Sequence, residues 1–301
     1  MPQLRSRHLG AFALLTCGLG LASLEVAAAE PAPSDTTPLS SLGELLDRIP
    51  DFSGLNLPSF LPKGVFRVYS SPHFGDLLHR DYLRVPVGVR AKLSSQLEAH
   101  VEVEGYFTHG LRDRAGYGFD SLQTGLKFET PKPTSTAAAY STGVDFTTPL
   151  SRPPVELSDG HRHTVPYVAT SFIIAPDSHL LGYGSFGADL LNRTMLPANF
   201  GRNELHSNSL IFSAGVAREW PKFRATLTAT LGSTALISDE HHQVFGLRPA
   251  LVLPITRFQG RHTRLTATIG GWSIWGPDGH ELGVSTSMKV EFQYHAGDPK
   301  R

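Results

Sequence analysis

The stretch YLRVPVGVRAKLSSQLEAHVEVEGYF, residues 82–107, alternates between apolar and ionic side chains with a period of two. Leu83, Val85, Val87, Val89, Ala91 and Leu93 share one face, and after a short polar turn Leu97, Ala99, Val101, Val103, Gly105 and Phe107 continue it. Arg84, Arg90 and Lys92, then Glu98, His100, Glu102 and Glu104, crowd the other face. Successive side chains of a strand point to opposite sides, so the stretch predicts a β-hairpin with one oily and one ionic face. A soluble sandwich turns the oily face inward to a core; a membrane barrel turns it outward to lipid and keeps the ionic face in a wet lumen. The hairpin alone is compatible with both.

The same two-faced pattern returns along the chain. Ala225, Leu227, Ala229 and Leu231 oppose Arg224, Thr226, Thr228 and Thr230, while Leu265, Ala267 and Ile269 oppose Arg264, Thr266 and Thr268. Leu122, Leu126 and Phe128 oppose Gln123, Lys127 and Glu129, and near the C-terminus Met288, Val290 and Phe292 oppose Lys289, Glu291 and Gln293. With the weaker segments GVFRVYSS, AAAYSTGVDFTT, VPYVATSFIIA, LLGYGSFGADL, NSLIFSAGVAR and VFGLRPALVLPI, the chain reads as about twelve strands.

The connections separate the two folds. Short links such as LSSQ, PKPTST, APDS, EWPKF and FQGRHT alternate with long ones such as THGLRDRAGYGFD, PLSRPPVELSDGHRH, LNRTMLPANFGRNELHS, STALISDEHH and WGPDGHE. Short and long links alternate when an up-and-down barrel has tight turns at one rim and extended loops at the other. Aromatic residues on the apolar face also gather toward strand ends, with Phe107, Phe212, Phe245 and Trp275 at the long-loop rim. Phe128, Phe172, Phe223, Phe292 and Tyr294 lie at the opposite one. Two interfacial girdles have this form. The predicted fold is therefore all-β: a transmembrane antiparallel up-and-down β-barrel over residues 63–301, preceded by a short N-terminal helix.

Upstream, Arg5 and Arg7 precede an apolar run ending in VAAAE, which predicts a cleaved signal peptide over residues 1–29. Cys17, the one cysteine of the 301 residues, leaves with it, and Thr16 stands where a lipid-attachment site calls for a small residue. Residues 30–62 form a predicted periplasmic segment in which Ser41 and Glu44 have capping-box spacing. There Leu42, Leu45, Leu46 and Ile49 recur at helical spacing until Pro50. An oily stripe suits the inner leaflet, or an apolar hatch, better than a charged lumen. After the signal no apolar run approaches the 18 or so residues of a membrane helix.

These pieces carry a family resemblance. YLRVPVGVRAKL, QLEAHVEVEGY and LQTGLKFE are similar to the hairpin and following strand of the outer-membrane barrels of the MetA-pathway of phenol degradation family. The resemblance implies a twelve-stranded barrel that passes small, often aromatic or apolar, molecules across the outer membrane. It assigns no site residues. One departure is the tail HAGDPKR after Tyr294, where such barrels commonly end in an aromatic residue.

Function is then sought in the lumen. The residues predicted to line it and to select solutes are Arg67, Arg84, Arg90, Lys92, Glu98, His100, Glu102, Glu104, Lys127, Asp145, Arg224, Arg248, Arg264, Lys289 and Glu291. Pairing across LSSQ brings Lys92 opposite Glu98 and Arg90 opposite His100. The same charges could instead neutralise one another in a filled, structural or adhesive barrel. Metal binding is not predicted: His161 and His163, and the adjacent His241 and His242, lack acidic or cysteine partners at ligand spacing in the chain. An outer-membrane phospholipase is disfavoured because His206 and Ser207 are chain neighbours, which in a strand point to opposite faces. The 27 basic and 27 acidic side chains cancel, so nucleic acid is not a predicted partner. The sequence thus predicts a Gram-negative outer-membrane channel, not an enzyme, without cofactor or metal. Its partners are membrane lipid, a small solute and, during biogenesis, the barrel-assembly machinery.

Overall fold

A computed structural model describes residues 55–58, 63–74, 82–107, 116–130, 138–151, 157–175, 179–196, 203–239, 241–255 and 263–295. All lie in one compact unit, Ser40–Arg301. The expected signal peptide and the amphipathic helix over residues 41–50 fall outside the described residues.

The strands are β1 (Val65–Ser70), β2 (His73–Phe74), β3 (Leu83–Lys92), β4 (Leu97–Phe107), β5 (Tyr117–Glu129), β6 (Ala139–Pro149) and β7 (Arg162–Ala175). They continue as β8 (Leu180–Asn192), β9 (Ser209–Glu219), β10 (Arg224–Ser233), β11 (Gln243–Pro254), β12 (Thr263–Gly276) and β13 (Gly279–His295). From β3 onward each pairs antiparallel with the next, and β1 and β2 both pair with β13 on one side and β3 on the other. The sheet is closed. Pro72 has no N–H to give the ladder, which is why β1 and β2 are separate strands. Pairing nonetheless runs through the break, because the Ser71 amide donates to the Pro86 carbonyl at 3.1 Å and the Met288 amide to that of Pro72 at 3.0 Å. Thirteen strands thus occupy twelve positions around the barrel, the number expected from the pattern.

The opening hairpin forms in the predicted register, with Lys92 opposite Glu98 and Arg90 opposite His100. Its faces are inverted relative to a soluble protein. Val101 is 49% exposed and Val87 49%, whereas Glu98 is 1% exposed and Lys127 3%. The same holds around the wall: Leu126, Val168, Leu227, Ile269 and Met288 are exposed, and Asp145, Arg224 and Glu291 are buried. Only an apolar solvent outside makes this arrangement stable, and closure leaves no unpaired strand edge to be desolvated in it.

Rim aromatics follow in part. Phe245 stacks on Trp275 at 5.6 Å and Phe107 on Tyr117 at 6.3 Å at the long-loop end. Phe128, Phe172, Phe292 and Tyr294 are exposed toward the other end, and Phe223 stacks on Trp220 in the turn before β10. Phe212 instead faces Phe186 nearer the middle of the wall. WGPDGHE, expected as a long loop, is a tight turn at residues 277–278, because Trp275 and Gly276 pair with His280 and Gly279. Gly279 takes a φ of 101° that a residue with a side chain would resist.

Inside, tyrosines lie along the wall instead of across the lumen. Tyr69 covers Gly88, its partner in register on β3, and Tyr183 covers Gly215 on β9; a Cβ at either glycine would come within 2.5 Å of the ring. The glycines are what leave room for the rings to lie flat.

The exterior is directly testable. Replacing Val101, mid-strand on the outer face, by Arg should lower stability in lipid vesicles by about 2–4 kcal/mol. Denaturant titration of the barrel refolded into vesicles measures it, and a change near zero would mean that this face does not meet lipid.

Candidate functional site: the lumen

Along the axis the interior lined by the described residues includes a floor and two chambers. At the floor, near the short turns, Lys127 of β5 uses all three ammonium hydrogens: Nζ meets Glu98 Oε1 at 3.0 Å, Glu129 Oε1 at 2.8 Å and the Leu57 carbonyl at 3.1 Å. Lys92 closes the chain on the other oxygen of Glu129. Two cations and two carboxylates therefore cancel in a layer almost free of solvent. The sequence-level expectation of cross-strand pairs is modified here. Lys92 is opposite Glu98 in register, but its ion pair reaches two strands over to Glu129, and Glu98 pairs with Lys127.

Elsewhere near this end, Arg67 bonds Glu291 at 3.2 Å, Lys289 bonds Glu291 at 3.4 Å and Arg224 bonds Glu219 at 2.7 Å. Arg67, Lys92, Glu98, Lys127, Arg224, Arg264, Lys289 and Glu291 line neither of the two chambers above. Their place is in the wall and floor.

Residues 55–58 also belong to the floor. Leu57 is fully buried against Tyr167, Ala169, Leu181, Tyr183 and Ala217, an apolar patch on the inner wall of β7, β8 and β9. The Asn56 amide donates to Asp145, and the Ser141 hydroxyl donates to the Asn56 carbonyl at 2.8 Å. This end of the segment assigned to the periplasm thus sits within the barrel. Leu57 finds an apolar seat because the lumen is not uniformly charged: β8 and β9 turn Leu181, Tyr183 and Ala217 inward.

Above the floor is a chamber of about 480 Å³. Arg90, His100, Glu102, Asp145 and Arg248 of the predicted set line it, with Tyr69 and Tyr167. Tyr69 donates to Glu102 at 2.7 Å and carries the Arg90 guanidinium over its ring at 5.3 Å; His100 stands 3.6 Å from Asp145. These residues come from strands β1 through β11, so the space they share is the interior itself.

A vestibule of about 470 Å³ follows toward the long loops, lined by Arg84 and Glu104 of the predicted set and again by Arg248. Asp120, Asp159, His163 and Asp189 complete its charged wall. His163 Nδ1 lies 3.0 Å from Asp189 and Nε2 3.2 Å from Asp159, so both ring nitrogens meet carboxylates that can only accept. The backbone N–H of His161 donates to Asp159 at 2.8 Å. Burial would raise the Asp159 carboxyl, but the bonds from His163 and His161 outweigh it and hold it below the usual carboxylate range.

His163 therefore stands between two carboxylates. Its acidic partners stand 26 residues away and 4 residues back. Among the described residues no cluster of three or more potential ligands is suited to a metal ion. His206 and Ser207 lie in the coil before β9.

Thr147, Ile211, Thr230 and Arg248 line both chambers, so they mark the junction, here called the neck, between them. Glu129 and Asp120 escaped the sequence reading for definite reasons. Glu129 showed on the charged face of its strand but one of its two lysines, Lys92, lies two strands away, and Asp120 sits beside the register shift at Glu104 and Gly105 that breaks the alternation.

The class follows from this geometry. A closed barrel with an apolar outer wall and an ionised, chambered interior is a porin-like outer-membrane β-barrel. No family model matches the chain, and no curated protein matches it in sequence. Among solved structures it is similar to the KdgM porin at 6% identity, covering 77% of this chain and 99% of that one with a TM-score of 0.43. The NanC porin follows at 12% identity, 77% and 99% coverage and a TM-score of 0.44. An outer membrane channel from Pseudomonas putida F1 is similar at 9% identity, 78% and 97% coverage and a TM-score of 0.49.

The floor network yields a quantitative test. Lys127→Met leaves Glu98 and Glu129 facing each other with one cation and strands the Leu57 carbonyl, so stability should fall by about 3–5 kcal/mol. Denaturant midpoints in vesicles read it; a loss below about 1 kcal/mol would place these charges in contact with water.

Proposed function

We propose that the chain is a passive channel of the Gram-negative outer membrane for small molecules, aromatic or apolar ones among them, as the resemblance to the phenol-degradation barrels implies. The observation that carries the reading is the pair of stacked chambers sharing one neck at Thr147, Ile211, Thr230 and Arg248. A barrel built only as a wall has no need of two connected polar cavities along its axis. In this reading the chamber-lining members of the predicted set, Arg84, Arg90, His100, Glu102, Glu104, Asp145 and Arg248, set selectivity, while the floor charges hold the wall rigid. The partners are lipid outside, solute inside and the assembly machinery that inserts the barrel.

A second reading, a structural barrel with a filled lumen, draws on the floor: residues 55–58 and the Lys127 network occupy the short-turn end. Single-channel recording of the purified protein in a planar bilayer separates the two. The channel reading expects discrete conductance steps in the unmodified protein. Thr230→Trp, which places an indole in the neck, should reduce the unitary conductance without unfolding the barrel. A protein that inserts fully folded yet passes no current would favour the structural reading.

A further inference from the structure

The neck carries one ionised group, and it is a cation. Arg248 of β11 lines both chambers, faces Thr228 of β10 in register, and is exposed to the lumen space around it. Five other inward cations have carboxylate partners: Arg67 and Lys289 with Glu291, Lys92 and Lys127 with Glu129, Arg224 with Glu219. Arg248 has no hydrogen-bond or ion-pair partner among the described residues. A guanidinium held among low-dielectric walls without a carboxylate is an incomplete pair, and a planar fork of donors matches a carboxylate in two-point geometry.

Its surroundings complete a site. Thr228 and Thr230 bring hydroxyls to the same junction, held by Tyr183 at 2.7 Å and by Ser213 at 3.1 Å respectively. Ile211, Val165, Tyr167 and Leu55 supply an apolar surface on the chamber side. The approach from the long loops is acidic, with Glu104, Asp120, Asp159 and Asp189 set against Arg84 and the doubly bonded His163. An acidic approach to a basic neck penalises multiply charged anions more than a single carboxylate on a neutral body.

Building on the channel reading, we infer that Arg248 is the recognition group for small organic monocarboxylates, holding the carboxylate at the neck while the apolar body rests on Ile211 and Tyr167. Thr147, Thr228 and Thr230 take up the remaining carboxylate lone pairs. The neck binds the carboxylate singly because one guanidinium stands there.

The experiment uses the full-length mature protein with four probes: butyrate, butylammonium, 1-butanol and succinate. Equilibrium binding to the detergent-solubilised barrel, followed by titration calorimetry, should show butyrate bound in preference to the other three. Arg248→Gln should weaken butyrate at least about tenfold, the size of a lost charge-assisted hydrogen bond, and Arg248→Lys should retain part of the affinity. In planar bilayers butyrate should block or permeate saturably in the unmodified protein and not in Arg248→Gln. Equal butyrate binding by the unmodified and Gln proteins, or a preference for butylammonium or succinate, would overturn the assignment. Absence of conductance in the unmodified protein sinks the channel reading alone, since the calorimetric comparison still decides whether Arg248 binds the carboxylate. Loss of heat-modifiable gel mobility in Arg248→Gln would mark a folding defect, in which case Arg248→Lys against the unmodified protein decides the point: indistinguishable affinities for butyrate and succinate in both would overturn it.

Discussion

Everything in this molecule depends on the need to satisfy each backbone N–H and C=O of the wall within the wall itself. In hydrocarbon an unpaired peptide group costs several kcal/mol, so the strands must close on themselves. The closure falls at β1, β2, β3 and β13, where Pro72 interrupts one strand and the Ser71 and Met288 amides carry the pairing past it. Once the ladder is closed, the period-two alternation has only two places to send its side chains. Valines and leucines go to lipid, and the charges share an interior that no strand edge can open.

That interior is then partitioned by charge pairing. The floor is neutral and dry because Lys127 and Lys92 are matched against Glu98 and Glu129, and because residues 55–58 offer Lys127 a carbonyl and Leu57 an apolar seat. The chambers above keep charges that are only partly matched, and the tyrosines flattened over glycines lie along the wall of the inner chamber. The same wall thus holds a rigid, self-compensated end and a chemically available one. Arg248 stands between the chambers of the available part, which is why a neck of four residues carries the proposed recognition.

Much of this was legible in the residues. Leu83 through Ala91 against Arg84 through Lys92 specified two faces, and register followed from the short LSSQ turn, because slipping by one residue would send every charge into lipid. The twelve wall positions were legible for the same reason. WGPDGHE was misread because Gly, Pro and Asp signal a turn without stating its length, and the strands around it simply continue pairing up to Gly276 and Gly279. Glu129 and Asp189 were missed as site residues because Lys92 and His163, which they meet, lie on other strands, and Asp120 because it sits at a register shift. The docking of residues 55–58 was unreadable since the apolar patch it meets is assembled from β7, β8 and β9.

The sequence by itself determined the class of fold and which face of each strand carries charge, because side-chain alternation is a local property of extended backbone. Only the tertiary structure decided which charges neutralise each other, which remain available, and which side chains stand between the two chambers. Closing twelve strands brings Lys92 to Glu129 and Arg248 to the space between two chambers, and such meetings depend on the curvature and stagger of the whole barrel, which no single strand encodes.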